Sequence, residues 1–113
     1  MRLALHSTIK PGHIDDYREH HARIPDDLRA EFDRVGIRDW VIWRSGDRLF
    51  HLIDCDADFA AAIGEVAGTP ADAAWQANIG RFVDRFFGPD GTESFGALEQ
   101  VWSLEGQREQ DRA

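Results

Sequence analysis

A tyrosine and a histidine lie four residues apart in a stretch whose apolar positions repeat with helical spacing. The members of this stripe follow steps of three and four: Ile14, Tyr17, His21, Ile24 and Leu28. One residue per turn therefore lies on a single helix face, and the imidazole of His21 points toward the interior. His20, about 100° round the helix, points elsewhere. The spacing predicts that the phenol of Tyr17 and the imidazole of His21 open toward the same cavity.

Imidazole is the side chain best suited to giving and taking a proton near pH 7, which makes His21 the candidate acid/base group. Periodicity alone leaves open an ordinary hydrogen-bonded core histidine at this position. His6 and His51 are placed on predicted strands, and each fits either a second acid/base group or a satisfied sheet residue. The sequence therefore favours His21 without assigning its partner.

Pro25 interrupts the helix one turn after His21. Proline has no N–H, and its ring crowds the carbonyl four residues back, which is that of His21. We expect the first helix to run to about Arg23 and a second helical piece to begin at Pro25. Asp26 and Asp27 suit the positive N-terminus of that piece.

Metal ligation and cofactor binding lack their usual patterns. His13, His20 and His21 include no pair four residues apart, and Cys55 is the only cysteine. No glycine-rich loop opens a helix after a strand, so a nucleotide site lacks its signature. We predict that the protein uses neither a metal nor a cofactor.

The elements that must position these side chains follow from alternation, turn residues and helix caps. The predicted strands are 2–9, 37–44, 48–55 and 97–104. The predicted helices are 14–23, 25–36, one from Asp56 or Asp58 to Gly68, and one from Thr69–Pro70 that carries the stripe Trp75, Ile79, Phe82, Val83 and Phe86. Residues 91–96 are predicted as a loop, and Ser45–Asp47 as a hairpin turn. On the first strand Leu3, Leu5 and Ile9 share one side, where Ser7 is the polar exception.

The order of elements is β-α-β-β-α-β, with each helical slot broken in two. This order predicts an α+β, ferredoxin-like split βαβ fold, with a four-stranded antiparallel sheet and helices on one face. The second and third strands carry apolar residues on both sides, with Trp40 and Ile42 on one and Val41 and Trp43 on the other. Because no helices remain to cover the second face, we predict a homodimer formed through it.

Composition limits the class of protein. The 113 residues, 42% of them hydrophobic, suit one domain over residues 1–104 followed by a polar, frayed tail at 105–113. A net charge of −8 argues against nucleic acid and anionic membranes as partners. Met1–Lys10 is a short alternating segment unlike a signal peptide, and no apolar window approaches the ~20 residues of a membrane span. We expect a cytoplasmic protein.

The run YREHHARIPDDL (17–28), followed by FDRVGIRDWVIW (32–43), resembles the L-rhamnose mutarotase family. The likeness continues through AAWQANIGRF (73–82) to LEQVWSLEG (98–106), so it covers roughly residues 2–104. The resemblance implies a ferredoxin-like α+β fold of the dimeric α/β-barrel type, in agreement with the order of elements. It also implies an enzyme without a cofactor that interconverts the anomers of a deoxyhexose.

The resemblance further assigns roles to residues. It implies that His21 is the proton donor, that Tyr17 touches the sugar, and that Trp40 holds a substrate-contacting strand position often occupied by tyrosine. It aligns Trp75 and Gln76 with a pair of aromatic positions that contact the substrate, where some members have two tryptophans. Trp40 keeps the flat face but lacks a phenolic hydroxyl, and Gln76 exchanges a stacking surface for an amide. Both departures concern which sugar hydroxyls are recognised, so L-rhamnose, L-fucose and related sugars stay open.

Anomer exchange requires only a positioned acid and base, which a small domain can supply. The base partner of His21 is open between His51, a carboxylate and water. Two other functions fit the same pattern. The first is a small oxygenase of the dimeric α/β-barrel type, of the haem-degrading or quinone-forming kind. The second is a non-catalytic small-ligand-binding module.

Overall fold

A four-stranded antiparallel sheet with helices on one face forms the computed structural model, which describes residues 1–112. The strands are β1 (Arg2–Ile9), β2 (Ile37–Ser45), β3 (Arg48–Cys55) and β4 (Val83–Phe87). The helices are α1 (Ile14–His20), α2 (Asp26–Arg34), α3 (Phe59–Ala67), α4 (Pro70–Ile79) and α5 (Leu104–Arg112). The strand order β2-β3-β1-β4, antiparallel throughout, confirms the predicted α+β, ferredoxin-like fold.

Strict alternation along β3 separates the two faces of the sheet. Leu49, His51, Ile53 and Cys55 are buried under the helices, and the residues between them are exposed. The predicted hairpin joins β2 to β3, with Ser45 paired to Arg48 across the turn. Its Gly46 has a φ of 58°, a left-handed conformation that glycine adopts without steric cost. The register of these central strands fixes which side chains face the site.

The break at Pro25 occurs as predicted, but α1 ends at His20 instead of Arg23. The N–H of His21 closes the last turn by donating to the carbonyl of Tyr17 at 2.8 Å. Pro25 has no N–H to donate to the carbonyl of His21, so a helix continued to Pro25 would lack that hydrogen bond. His21 is therefore the C-cap of α1, and α2 restarts with Pro25 as its N-cap.

The prediction for the second half of the chain is wrong in two places. The helix from Pro70 ends at Ile79, and the predicted helical positions Val83 and Phe86 lie on β4. Gly80 weakens any continuation of the helix, and the free edge of β1 offers backbone partners to the residues that follow. The predicted last strand at 97–104 has no regular structure before Leu104. β4 occupies the position beside β1 that was expected for residues 97–104. Those residues keep one backbone hydrogen bond to β1, from the N–H of Leu98 to the carbonyl of Ala4 at 2.9 Å.

The predicted frayed tail is also wrong over the described residues. Leu104–Arg112 forms α5, an exposed helix with no buried residue, and Ala113 lies outside the described residues. Its first turn is stabilised by Ser103, whose hydroxyl accepts the N–H of Gly106 at 3.0 Å. Glutamate, glutamine and arginine favour a helix here even without a face to bury.

The sheet face opposite the helices is apolar and open, as the sequence indicates. Trp43, Phe50 and Leu52 are 65%, 40% and 41% exposed. His6 stacks against the ring of Phe50, with centroids 5.0 Å apart, and its ring lies tilted against that of Phe87 at 5.2 Å. Its Nε2 is buried and has no hydrogen-bond partner among the described residues. In the described part of the chain, no helix has the length and apolar character needed to cross a membrane.

Candidate active site

A cavity of about 600 Å³ lies between the sheet and the helices. All five residues that the sequence assigned to the site line it: Tyr17, His21, Trp40, Trp75 and Gln76. They come from α1, β2 and α4, so the fold unites residues up to 59 positions apart, from Tyr17 to Gln76. Most of the remaining lining is aliphatic or aromatic, which is typical of a small-molecule pocket.

The helical side of the cavity is an aromatic cage around His21. The rings of Tyr17 and His21 lie 5.2 Å apart between centroids. Trp75, projecting from α4, meets the His21 ring edge-on at 5.0 Å and an angle of 86°. Tyr17 and Trp75 are buried, while His21 is partly exposed, and His20 is turned outward as predicted. This packing restricts the imidazole and leaves it open to a ligand in the cavity.

Burial sets the protonation of both groups. Burial lowers the pKa of the His21 imidazole below its usual 6.5, because the charged form loses hydration among the aromatic rings. Burial raises the pKa of the Tyr17 phenol to about 12. At pH 7 the imidazole is therefore neutral, with one nitrogen free to accept a proton. The phenol keeps its proton and remains a hydrogen-bond donor.

The sheet side of the cavity contains a polar network that the sequence did not identify as a unit. Trp40 donates its indole N–H to Nδ1 of His51 at 3.0 Å, and Nε2 of His51 lies 2.8 Å from the hydroxyl oxygen of Ser7. Burial lowers the pKa of His51 to about 4, and the positive charges that His21 and His6 can carry add to the effect. Ser7, the polar exception on β1, is thus explained as the partner of a buried histidine.

The rim of the cavity carries Gln76, which the sequence assigned to the site, whereas one end is formed by residues that the sequence reasoning missed or misplaced. Gln76 is exposed at the rim and donates to the carboxylate of Asp72 at 3.3 Å. Phe86 packs edge-on against Phe95, with centroids 4.8 Å apart, and both line the cavity. Phe86 was expected on a helix and Phe95 in a loop, and no periodic signal connects them. Trp75 and Gln76, which the resemblance aligns with two substrate-contacting positions, both lie on α4, where Trp75 is buried and Gln76 is exposed at the rim.

Within residues 1–112, no three His, Cys, Asp or Glu side chains gather closely enough to hold a metal ion. His13 instead pairs with the carboxylate of Asp16 at 3.1 Å, one turn along α1. The expectation of a reaction without metal or cofactor stays a prediction. What the site does offer is a neutral imidazole beside a phenol and a stacking surface, which suits proton transfer on a small ring.

Comparison with known proteins points to one family. A family profile described as L-rhamnose mutarotase matches residues 2–104. An L-rhamnose mutarotase of Burkholderia cenocepacia (strain HI2424) is 30% identical over 105 residues, covering 91% of this chain and 97% of that protein.

Two solved structures share the fold. An L-rhamnose mutarotase from Formosa agariphila superposes with a TM-score of 0.69 at 19% identity, over 92% of this chain and 98% of the other. Tetracenomycin F2 cyclase from Streptomyces glaucescens, a type-II polyketide cyclase, superposes with a TM-score of 0.66, also at 19% identity, over 92% and 96%. At such identities the two structures support the fold alone, whereas the profile and the Burkholderia relative bear on the family.

Proposed function

The chain belongs to the L-rhamnose mutarotase family, which makes it an isomerase that acts on a sugar, and from that premise we propose that it interconverts the α and β anomers of L-rhamnose in the cavity around His21. The observation that carries the proposal is a neutral imidazole open to an aromatic-lined cavity, with Tyr17 and Trp75 on either side. Trp40 and Gln76 complete the proposed substrate-binding set.

Anomer exchange is an internal proton transfer. The O–H on the anomeric carbon loses its proton, the bond from that carbon to the ring oxygen breaks, and the ring oxygen gains a proton. The open aldehyde rotates about C1–C2 and closes by the reverse steps. Atoms and electrons balance within the sugar, so the reaction needs no oxidant, reductant or external group.

One imidazole can serve both transfers. The two oxygens are bonded to the same carbon, so a nitrogen of His21 that takes the proton from one is within reach of the other. Tyr17, protonated at neutral pH, can hold a sugar oxygen by a hydrogen bond, and Trp75 offers an aromatic surface to the ring. Such positioned acid/base catalysis contributes about 10²–10⁴-fold.

The rate of exchange should depend on pH through His21. Because burial lowers the pKa of its imidazole, kcat/KM should stay level through pH 7 and fall only below pH 6.5, where imidazolium replaces the neutral base. Tyr17 should add no inflection below pH 10, since its pKa is about 12. A pH series of exchange rates measured by NMR checks this. An acid limb centred above pH 6.5 would contradict it.

Polarimetry of freshly dissolved α-L-rhamnose tests the activity. We expect the optical rotation to reach its equilibrium value faster in proportion to protein concentration. L-fucose and other reducing sugars define the range, because Trp40 and Gln76 alter the hydrogen-bonding groups at two substrate-contacting positions. A rate equal to that of buffer for every sugar would overturn the proposal.

Two further experiments separate the rival functions from a mutarotase. A haem-degrading oxygenase would give a strong absorbance change on adding haemin, and we expect none. A binding module would bind the sugar, detected by saturation-transfer NMR, without accelerating exchange. Family membership supports mutarotase activity over these two alternatives. The fold by itself does not, because one fold can serve several activities.

We also propose that two chains associate through the open sheet face. Trp43, Phe50 and Leu52 expose apolar surface there, and the buried Nε2 of His6 lacks a partner within residues 1–112. Burying such a patch in an isologous contact would remove it from water. Light scattering should give twice the 12.8 kDa chain mass.

Replacing Phe50 by glutamate should shift this mass to that of one chain, because it places a charge in the proposed contact. Ala60→Glu, which adds the same charge at an exposed position on α3, should leave the mass unchanged. A wild-type chain that is monomeric at micromolar concentration would contradict the proposal, as would an unchanged mass for the Phe50 variant.

A further inference from the structure

Both ring nitrogens of His51 are engaged inside the protein. The indole N–H of Trp40 approaches Nδ1 at 3.0 Å, and the hydroxyl of Ser7 approaches Nε2 at 2.8 Å. His51 is 4% exposed and Ser7 is 1% exposed, so water does not compete for these bonds. The network joins three strands, β2, β3 and β1, across the floor of the cavity.

The partners fix the tautomer of His51. An indole nitrogen can only donate, so Nδ1 of His51 must be the acceptor and carry no hydrogen. The hydrogen of the neutral ring is then on Nε2, which donates to the hydroxyl oxygen of Ser7. Neither ring nitrogen is then free to bind a ligand, because Nδ1 accepts from Trp40 and the N–H at Nε2 donates to Ser7.

The hydrogen bond to His51 uses the indole nitrogen, which is the one polar atom in the side chain of Trp40. Its indole ring packs edge-on to Phe59, with centroids 5.8 Å apart, and lies 5.7 Å from the ring of Phe32. Those contacts restrict the ring, and the bond to His51 selects one of its two possible flips. The half-buried indole therefore presents ring carbons to the cavity while its N–H points into the sheet.

We propose that His51 is a positioning residue, which accepts the indole N–H of Trp40 and so makes the sheet side of the sugar site a surface for C–H groups and not for hydroxyls. This inference rests on the proposed function, because it takes Trp40 as a substrate-binding residue. It also removes His51 from the candidates for the second acid/base group, since neither nitrogen is available to the sugar.

The chemical consequence is a preference for the less polar edge of the substrate. A sugar hydroxyl placed against this wall would lose water without gaining a hydrogen-bond partner, which should weaken binding about tenfold. A methyl group or a C–H face suffers no such loss. If the C6 group of the sugar lies against this wall, a methyl there is favoured over a hydroxymethyl, and L-rhamnose should then bind more tightly than L-mannose, its hydroxymethyl counterpart.

The indole N–H signals test the bond directly, with no reliance on activity. The chain has four tryptophans, and the Trp40 signal in a ¹H–¹⁵N spectrum is identified by its loss in Trp40→Phe. His51→Leu, which removes the acceptor, should move this signal upfield. His51→Asn, whose amide oxygen can stand near Nδ1, should restore it, whereas His51→Gln, which reaches toward Ser7, should not. A Trp40 signal at the wild-type position in all three variants would overturn the inference.

Kinetics test the role of the bond. We expect His51→Leu to raise KM for L-rhamnose about tenfold with kcat changed less than twofold, because it alters a binding surface and not the proton transfer. His51→Asn should keep the wild-type KM. In a Trp40→Phe background, which has no N–H to position, His51→Leu should change KM less than twofold.

Each failure has its own signature. If His51→Leu still raises KM tenfold in the Trp40→Phe background, His51 does not act through Trp40, and the inference is overturned. A fall in kcat with unchanged KM would do the same. If the wild-type protein exchanges no sugar, the proposed function fails, and the indole signals still decide whether His51 holds Trp40. Should His51→Leu not fold, the asparagine and glutamine variants supply the same comparison.

Discussion

Replacing His21 by asparagine should slow anomer exchange of L-rhamnose by about 10²–10⁴-fold, the usual contribution of a positioned acid/base group. Asparagine preserves polarity and approximate volume but cannot take up a proton near neutral pH. The aromatic contacts of Tyr17 and Trp75 hold the side chain at this position, so the cavity should keep its shape. We therefore expect the loss in kcat, with KM changed little.

The neighbouring residue supplies a matched control. His20→Asn makes the same chemical change one position away, on an exposed side chain outside the cavity, and should retain wild-type exchange. Thermal unfolding of both variants checks that the fold survives. A His21→Asn protein that is folded and exchanges anomers within twofold of wild type would contradict the role assigned to His21.

Acidification should cost the folded state about 3 kcal/mol through His51 alone, because its pKa falls from 6.5 in the unfolded chain to about 4 in the fold. Below pH 6.5 the unfolded chain binds a proton at this residue and the folded chain does not. The stabilisation of the folded state is therefore complete above pH 6.5 and is lost as the pH falls toward 4. Burial is the principal cause, since the charged ring would lose its hydration beside Trp40 and Ser7.

Urea unfolding at pH 7 and at pH 4.5 measures this effect. Carboxylates also begin to titrate in this range, so the informative quantity is the difference between wild type and His51→Asn, which cannot titrate at position 51. We expect the variant to lose about 2 kcal/mol less than wild type between these pH values. Equal losses in wild type and His51→Asn would show that His51 is not held neutral by the fold.

The first half of the fold could be predicted from the sequence because its signals are local. The alternation of apolar residues along β3, and on the side of β2 that carries Trp40 and Ile42, fits a strand and no other element. The glycine between them indicates a hairpin turn, and Pro25 indicates a helix break. The stripe that includes Tyr17 and His21 likewise fixed their common face. The end of α1 differed by three residues, since the effect of Pro25 reaches back to the carbonyl of His21.

The second half could not be predicted because its patterns fit two structures. The apolar positions 79, 82, 83 and 86 suit a helix, yet Val83–Phe87 pairs with β1. The alternation at 97–104 suits a strand, yet β1 has already been paired by β4 over Ser7 and its neighbours. The outcome is decided by competition for one sheet edge, a tertiary effect that local periodicity does not contain.

The candidate site could be predicted in part. Spacing brought Tyr17 and His21 together, and the family resemblance added Trp40, Trp75 and Gln76, all of which line the cavity. The network of His51 was not predictable, because Ser7 and His51 are 44 residues apart and meet only through the register that pairs Leu5 with His51. A polar residue on the apolar side of β1 was the one signal, and its partner could not be read from the sequence.

Two-dimensional exchange NMR on the anomeric protons of L-rhamnose at equilibrium, with wild-type protein and with His21→Asn, tests the proposed activity most directly. We expect exchange cross-peaks between the α and β signals that grow with the wild-type concentration, and an exchange rate in the variant that matches the protein-free rate. Wild-type protein that leaves the exchange rate at its protein-free value would contradict the proposed mutarotase activity. Equal acceleration by the two proteins would contradict the assignment of the proton transfer to His21.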